Sequence, residues 1–325
     1  MRDFQDGLQN PWWSWHTREA RSEVRSQIMI HRVSRMFAAA PSACLALACV
    51  WVFPSAARAQ QSERPASTVT TVSYKQAGDE SLKLDVCVPT AAAGETSRPV
   101  LVVVHGGGWG GGDRKTMIQP VLDTLISGGY IYVSPDYRLS PKHRWPACRE
   151  DVEEAVAWTK KHVGRYGGDP DRIGILGYSA GGQLAFWAAI HDKPPHALKA
   201  IVGLAPTTDF LEDFGRRGGP SKALRDLMGC ADDEPLERTL LRLYQASPIN
   251  FLRNDLPPIL LIHGTEDRSV AIQQSLHIMH KIEENRWKVP CEIHKIEGAP
   301  HRQSEWDRFD VGYKKKLIEW LGTRL

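Results

Sequence analysis

Past its first 59 residues the chain carries no excess of either charge. It holds 41 basic and 38 acidic residues in 325 positions. Seven of the arginines and four of the acids fall in residues 1–59, which leaves 34 of each sign from Gln60 onward. That balance gives no electrostatic footing for nucleic acid or for an anionic membrane surface. Metal-ligand spacing is missing as well: the 6 cysteines and 12 histidines form no zinc-like pattern, so no metal is expected. There is no G-x-x-x-x-G-K-[ST] loop, and no G-x-G-x-x-G that opens a helix with an acid downstream. Nucleotide chemistry therefore has no motif to rest on, and no cofactor is expected. Internal repeats and low-complexity tracts are also absent, which excludes solenoids and propellers.

There is one long apolar run, at residues 36–53. Arg32 and Arg35 precede it, and S-A-A-R-A follows at 55–59, with Ala57 and Ala59 at the −3 and −1 positions. Basic flank, apolar core and small residues before a cut make a secretory signal peptide. We expect residues 1–59 to be removed, and translation to start at Met29, which would give a leader of ordinary length. An uncleaved membrane anchor is the rival reading, since the run approaches the length that spans a bilayer. Cleavage would leave an exported protein, periplasmic or secreted, with no stable membrane insertion. Cys44 and Cys49 leave with the leader. Cys87, Cys148, Cys230 and Cys291 remain, either paired in one of three ways or as buried free thiols.

Residues 60–325 are ample for one catalytic domain. Residues 68–74 and 82–88 read as half-buried strands joined through Gly78 and Asp79, an antiparallel hairpin. Residues 99–105 are a continuous, mostly β-branched run, the mark of a strand covered on both faces of a parallel sheet. Further strands are expected at 130–134, 173–176, 200–204, 259–263 and 289–294. Helices are expected at 115–127, 152–163, 183–190, 270–284 and 304–322. The alternation describes an α/β protein with a mostly parallel, doubly wound sheet. Residues 207–255 break the rhythm and read as a small helical cap insertion over one edge of the sheet.

The chemistry gathers at G-Y-S-A-G-G, residues 177–182. A short strand, a tight turn and a helix surround Ser179, the pattern of a nucleophile elbow. A serine hydroxyl is a weak nucleophile until a base takes its proton, and the base needs an acid to orient it. In such sheets ligands sit beyond the carboxyl ends of the strands. After the strand ending at His263 stand Glu266 and Asp267, of which one need point inward; Asp267 is the choice. After the strand near Ile296 stands His301. The order Ser179, Asp267, His301 is the one this arrangement uses. Oxyanion donors are expected from Ala180, just after the serine, and from Gly107 and Gly108 in the glycine-rich loop after residues 99–104. Trp109 and Tyr178 are candidates to line a substrate pocket.

Five segments together resemble the α/β-hydrolase carboxylesterases: HGGGW at 105–109, YRLSP at 137–141, GYSAGG at 177–182, HGTED at 263–267 and GAPH at 298–301. The likeness spans nearly all of residues 80–322. It is to the hormone-sensitive-lipase-like group and its feruloyl and acetyl-xylan esterase-like relatives. It implies the α/β-hydrolase fold and an ester hydrolase in which Ser179, Asp267 and His301 act together. Two positions depart from the hormone-sensitive-lipase type. Tyr178 stands where that group places Asp, which favours the feruloyl-type relatives. Arg302 and Gln303 follow the histidine where Gly–Phe or Phe–Trp is common.

The expected function is an exported serine carboxylic-ester hydrolase for short-chain or carbohydrate-linked acyl esters. The insertion is short for a full lipase lid, which disfavours long lipids. The alternative is an amide-directed relative on the same fold, an aryl-formamide hydrolase or an exopeptidase. A non-catalytic binding protein is disfavoured by the complete set of Ser, His and Asp. The partner is a small-molecule or carbohydrate ester, and no oligomeric state follows.

Overall fold

A computed structural model of the protein describes residues 66–90, 97–116, 119–192 and 198–325. The proposed leader, its cleavage site and Met29 lie outside the described residues. An eight-stranded sheet runs in the order β1-β2-β4-β3-β5-β6-β7-β8. Strands β1 (Ser67–Ala77) and β2 (Glu80–Pro89) form the expected antiparallel hairpin. Gly78 takes φ +61° in its turn, a conformation that costs glycine little. β2 then pairs antiparallel with β4 (Ile131–Pro135). From there the sheet is parallel through β3 (Arg98–Val104), β5 (Gly168–Tyr178), β6 (Ile201–Leu204), β7 (Ile259–Gly264) and β8 (Cys291–Ile296).

The unbroken apolar character of β3 has a direct consequence. Successive side chains of a strand point to opposite faces. Val100, Val102 and Val104 enter one apolar cluster, while Leu101 and Val103 enter another. The first cluster is shared with helices α2 (Ala147–His162), α3 (Ala180–His191) and α7 (Gln273–Glu284). The second is shared with α1 (Gln119–Ser127) and α8 (Gly312–Gly322). Helices therefore cover both faces of the sheet, and this is the α/β-hydrolase fold.

The excursion between β6 and β7 contains α4 (Phe210–Arg217), α5 (Lys222–Met228) and α6 (Leu236–Ala246). Asp209 caps α4 by accepting the Leu211 and Glu212 N–H groups, and Ser221 caps α5 by accepting that of Leu224. β6 and β7 are interior neighbours in the sheet. The helices consequently rise over the carboxyl ends of the strands, where Ala223 and Leu224 face the glycine loop across a cavity. They do not lie over a sheet edge, as the sequence had suggested. Their apolar faces are continuous with the core: Phe210, Phe214, Leu227, Leu240 and Leu243 join the cluster that holds α3. That sandwiching buries α3 on all sides, from Ala180 to Ile190.

Other differences have local causes. The helix expected over 304–322 is divided into a short 3-10 turn, Gln303–Arg308, and α8. The Asp310 carboxylate accepts the Gly312 N–H at 2.6 Å, a local bond that competes with helix continuation. The strand expected from residue 289 starts at Cys291. Pro290 has no N–H for the ladder, although its carbonyl still accepts the Ile259 N–H at 2.8 Å. β5 begins earlier than expected because Gly168 already pairs with Arg98 ahead of a register shift. Cys87, Cys148, Cys230 and Cys291 are all free thiols, the first two buried.

Candidate active site

Ser179 joins β5 to α3 at φ +54°, ψ −119°, a backbone state that non-glycine residues rarely occupy. Its glycine neighbours make that turn possible by close approach. A Cβ on Gly181 would lie 2.3 Å from the carbonyl oxygens of both Val104 and His105, and one on Gly177 would lie 2.2 Å from the Gly181 oxygen. The turn is fastened to the sheet on either side. The Ser179 N–H donates to Leu204 O at 2.9 Å, and its carbonyl accepts from Thr207 N at 3.2 Å.

His301 follows β8 and reaches back to the serine. Its Nε2 lies 2.9 Å from Ser179 Oγ, and its Nδ1 lies 2.6 Å from Asp267 Oδ2. A carboxylate can only accept, so Nδ1 carries the proton and Nε2 is the acceptor for the hydroxyl. Of the two adjacent acids it is Asp267 that turns inward; Glu266 is not in contact with this chain of bonds. Asp267 Oδ1 accepts the Ser269 and Val270 N–H groups at 2.9 and 2.8 Å.

His263 completes the surroundings of the acid. It is fully buried. Its Nε2 lies 2.9 Å from the Val270 carbonyl and 3.4 Å from Asp267 Oδ2, and its Nδ1 lies 2.8 Å from Ser275 Oγ. The carbonyl and the carboxylate accept only, so Nε2 bears the proton and points it at both. Burial is the largest influence on the Asp267 carboxyl and raises its pKa. The hydrogen bonds of His263 and His301, the His301 charge and the Val270 N–H together outweigh it and hold the pKa at about 2.

The glycine-rich loop after β3 passes beside this group. Gly107 and Gly108 adopt φ +110° and +59°, and Trp109 follows at +58°. A Cβ on Gly107 would sit 2.1 Å from the Gly111 oxygen, so glycine is required there by both torsion and space. His105 anchors the start of the loop. It is buried, stacks on Tyr137 at 4.2 Å, and its Nδ1 donates to Gly106 O at 2.7 Å. Burial lowers its pKa, which keeps the ring neutral. Ala180 is the first residue of α3, where helix N–H groups have no intrahelical acceptor.

Ser179, His301, Gly107, Gly108, Ala180, Trp109 and Tyr178 all line one open cavity of about 380 Å³. Asp267 does not line it but is joined to it through His301, and Glu266, the other acid considered, is not part of the group. Two of the lining residues do more than border it. The Tyr178 hydroxyl donates to the His301 carbonyl at 2.8 Å, and its ring stacks on the imidazole at 5.2 Å and 24°. The Trp109 indole donates to Gln183 Oε1 at 3.0 Å, and Gln183 Nε2 in turn donates to Ala246 O at 3.0 Å. Gln183 and Arg217, which also lines the cavity, carried no sequence signal of a site role, and His263 carried one only as the first residue of HGTED. Gln183 lies within an apolar helix and Arg217 within a charged insertion. His263, at a strand end, reads as structural, and the structure places it against the acid.

Residues 84–282 match the BD-FAE family. The chain belongs to that family. The matched stretch includes Ser179 and Asp267 and ends before His301. Among curated proteins, Esterase LipC of Mycobacterium tuberculosis is 32% identical over 199 residues, covering 57% of this chain and 48% of that protein. Esterase LipQ of the same organism is 31% identical over 226 residues, 65% of this chain and 52% of that protein. The chain spans about half the length of the curated relatives it matches. A solved structure described as a truncated carbohydrate esterase from gut microbiota aligns at a TM-score of 0.68 and 21% identity, over 81% of this chain and 98% of that one. An esterase from Thermogutta terrifontis aligns at 0.62 and 23%, over 79% and 92%. At those identities the likeness speaks for the fold alone.

Proposed function

We propose that this BD-FAE chain is a serine carboxylic-ester hydrolase with Ser179 as nucleophile, His301 as general base and acid, and Asp267 as the acid that orients it. The observation that carries the reading is the unbroken chain Ser179 Oγ, His301 Nε2, His301 Nδ1, Asp267 Oδ2, at 2.9 and 2.6 Å, opening into a cavity. Ser179 Oγ attacks the ester carbonyl carbon while its proton passes to His301 Nε2. The imidazolium that forms is stabilised by the ionised Asp267. The oxyanion develops toward the N–H groups of Gly107, Gly108 and Ala180, which are fixed before the reaction begins. His301 returns the proton to the leaving alcohol, the acyl group stays on Ser179, and a water activated by the same imidazole releases it as the acid.

The size of the cavity supports short acyl groups or esters carried on a carbohydrate. Its lining joins an apolar side at Trp109, Leu224 and Val270 to a polar one at Thr207, Ser269 and Gln274. Export of the mature chain, from Gln60 onward, belongs to the same proposal and rests on the A-x-A sequence before that residue.

Purified protein should turn over 4-nitrophenyl acetate and butyrate, and release acetate from acetylated xylan. Ser179→Ala should reduce kcat to the level left by binding and the oxyanion donors, a loss of roughly 10³-fold or more. Unchanged turnover in that variant refutes the mechanism. Faster turnover of N-formylkynurenine than of any ester would instead favour the amide-directed alternative.

A further inference from the structure

The cap supplies a charged wall to the cavity. Asp213 and Arg217 of α4 both line it. The Asp213 carboxylate is shared, since Oδ1 accepts from Arg216 Nη2 at 2.5 Å and from Arg217 Nε at 2.8 Å. Glu212 approaches Arg216, at 3.8 Å. Two carboxylates therefore face two guanidiniums on this helix, and Arg217 is the arginine of the pair that lines the cavity. Arg217 is also held at a second point, where Nη2 donates to the Ser269 carbonyl at 2.6 Å. Directly after it the chain turns at Gly218, φ +73°, and the Gly219 N–H closes on Phe214 O at 3.0 Å. The guanidinium is therefore fixed in place by neighbours that leave Nη1 uncommitted by either bond, and its side chain is 35% exposed.

A held arginine on the wall of a reaction cavity suits a planar anion. The guanidinium presents its donors in a rigid fork that matches a carboxylate, and little entropy is lost when the fork is already positioned. Ser221, the cap of α5, adds a hydroxyl to the same lining.

Resting on the hydrolase reading above, we propose that the preferred substrate is an ester bearing a carboxylate, and that Arg217 is the residue that selects it. The carboxylate has two possible sources. It is carried either by the acyl group, as in a dicarboxylic half-ester, or by the alcohol, as in an acylated uronic acid. The bond cleaved is the same in both: water adds to the ester carbonyl, the alcohol leaves protonated, and the carboxylate on the substrate takes no part.

Two matched pairs of esters separate the sources. For the acyl side, mono-4-nitrophenyl glutarate is compared with 4-nitrophenyl pentanoate. For the alcohol side, an acetylated methyl glucuronoside is compared with the acetylated methyl glucoside. Ser179→Ala protein supplies the uncatalysed background. The expected result is a higher kcat/KM for the anionic member of one pair. The ratio of anionic to neutral kcat/KM should then fall about 10- to 100-fold in Arg217→Gln, the range expected for a lost charge-assisted hydrogen bond. Arg217→Lys should retain part of the preference, and raising the salt concentration should reduce it in the wild type. Equal turnover of both members in both pairs overturns the proposal, and so does a preference that survives Arg217→Gln. A thermal melt of each variant shows whether it is folded, and the ratio remains readable in a variant that is merely weakened. If no member of either pair is hydrolysed above the Ser179→Ala background, the hydrolase reading itself has failed.

Discussion

Ser179 occupies a backbone state that its neighbours impose, and the residue beside it shows how the partner imidazole is held. Tyr178 is buried under His301, with its hydroxyl on the His301 carbonyl and its ring against the imidazole. Burial raises the phenol to about 12, so it acts as a neutral donor. Tyr178→Phe keeps the ring contact and removes one hydrogen bond. We expect kcat on a neutral ester to fall roughly 2- to 10-fold with KM little changed, as one such bond is worth. A change confined to KM would mean that the tyrosine touches substrate instead. At Asp267 the prediction concerns pH. A carboxyl whose folded pKa is held at about 2 binds a proton less readily folded than unfolded. Its contribution to stability is complete above about pH 4, near the unfolded value, and is lost as pH falls toward 2. Urea titrations should accordingly find a stability gap between wild type and Asp267→Asn that is wider at pH 6 than at pH 3. A gap independent of pH would mean that the site does not hold the carboxyl ionised. The sequence favours Asp267 over Glu266, and the structure turns Asp267 inward, but what holds it there was not legible. Which of two adjacent acids faces inward depends on the Ser269 and Val270 amides and on His263, and no spacing in the chain encodes those.

At the scale of elements, the strand–turn–helix around the serine is a packing device as much as a chemical one. Gly181 lets α3 press its first turn against the end of β3. Gly181→Ala would bring a methyl group to 2.3 Å from two carbonyl oxygens that belong to the sheet and the glycine loop, neither free to give way. We expect a loss of about 3 kcal/mol or more, the upper range for overpacking, seen as a lower denaturation midpoint. Gly164, in the 3-10 turn Val163–Tyr166, is the control. Nothing lies within 4 Å of a Cβ there and its φ is not positive. Gly164→Ala should leave stability unchanged or raise it by up to about 1 kcal/mol. Equal effects at the two positions would show that the elbow is looser than its geometry. Most elements were legible because their signals are periodic and strong, such as the apolar run of β3 or the glycines flanking Ser179. Those misplaced turned on single side chains. Asp310 divides the last helix and Pro290 delays the last strand, and both effects come from one hydrogen bond made or forgone. The position of the cap was illegible for a different reason. It depends on β6 and β7 being neighbours inside the sheet, which is a property of topology and not of residues 207–255.

Across the whole molecule, the site depends on three segments far apart in sequence being held at fixed distances, and Gln183 is where they meet. Its amide oxygen receives the Trp109 indole of the glycine loop, and its nitrogen donates to Ala246 at the end of α6. The Trp187 indole donates to that same carbonyl at 2.9 Å. Trp109 also packs edge-on against Phe210 of the cap at 5.4 Å. Glycine loop, α3 and cap are therefore joined by buried polar bonds inside a single apolar cluster, and among the described residues the cap has no core apart from it. Its amides should then exchange with solvent by the same opening that exposes α3, with α6 protected to within a few fold of α3 in a hydrogen-exchange experiment. Gln183→Leu tests the coupling. It preserves the apolar packing but leaves the buried Trp109 N–H without an acceptor, at a cost of about 1–3 kcal/mol. If the three segments act as one body, that single change should lower protection in α3 and α6 together. It should also reduce kcat, because Gly107 and Gly108 lose the anchor that follows them. If instead α6 alone exchanges faster while α3 and kcat are unaffected, the cap opens by itself, and access to Ser179 is governed by its motion and not by the shape of a fixed cavity.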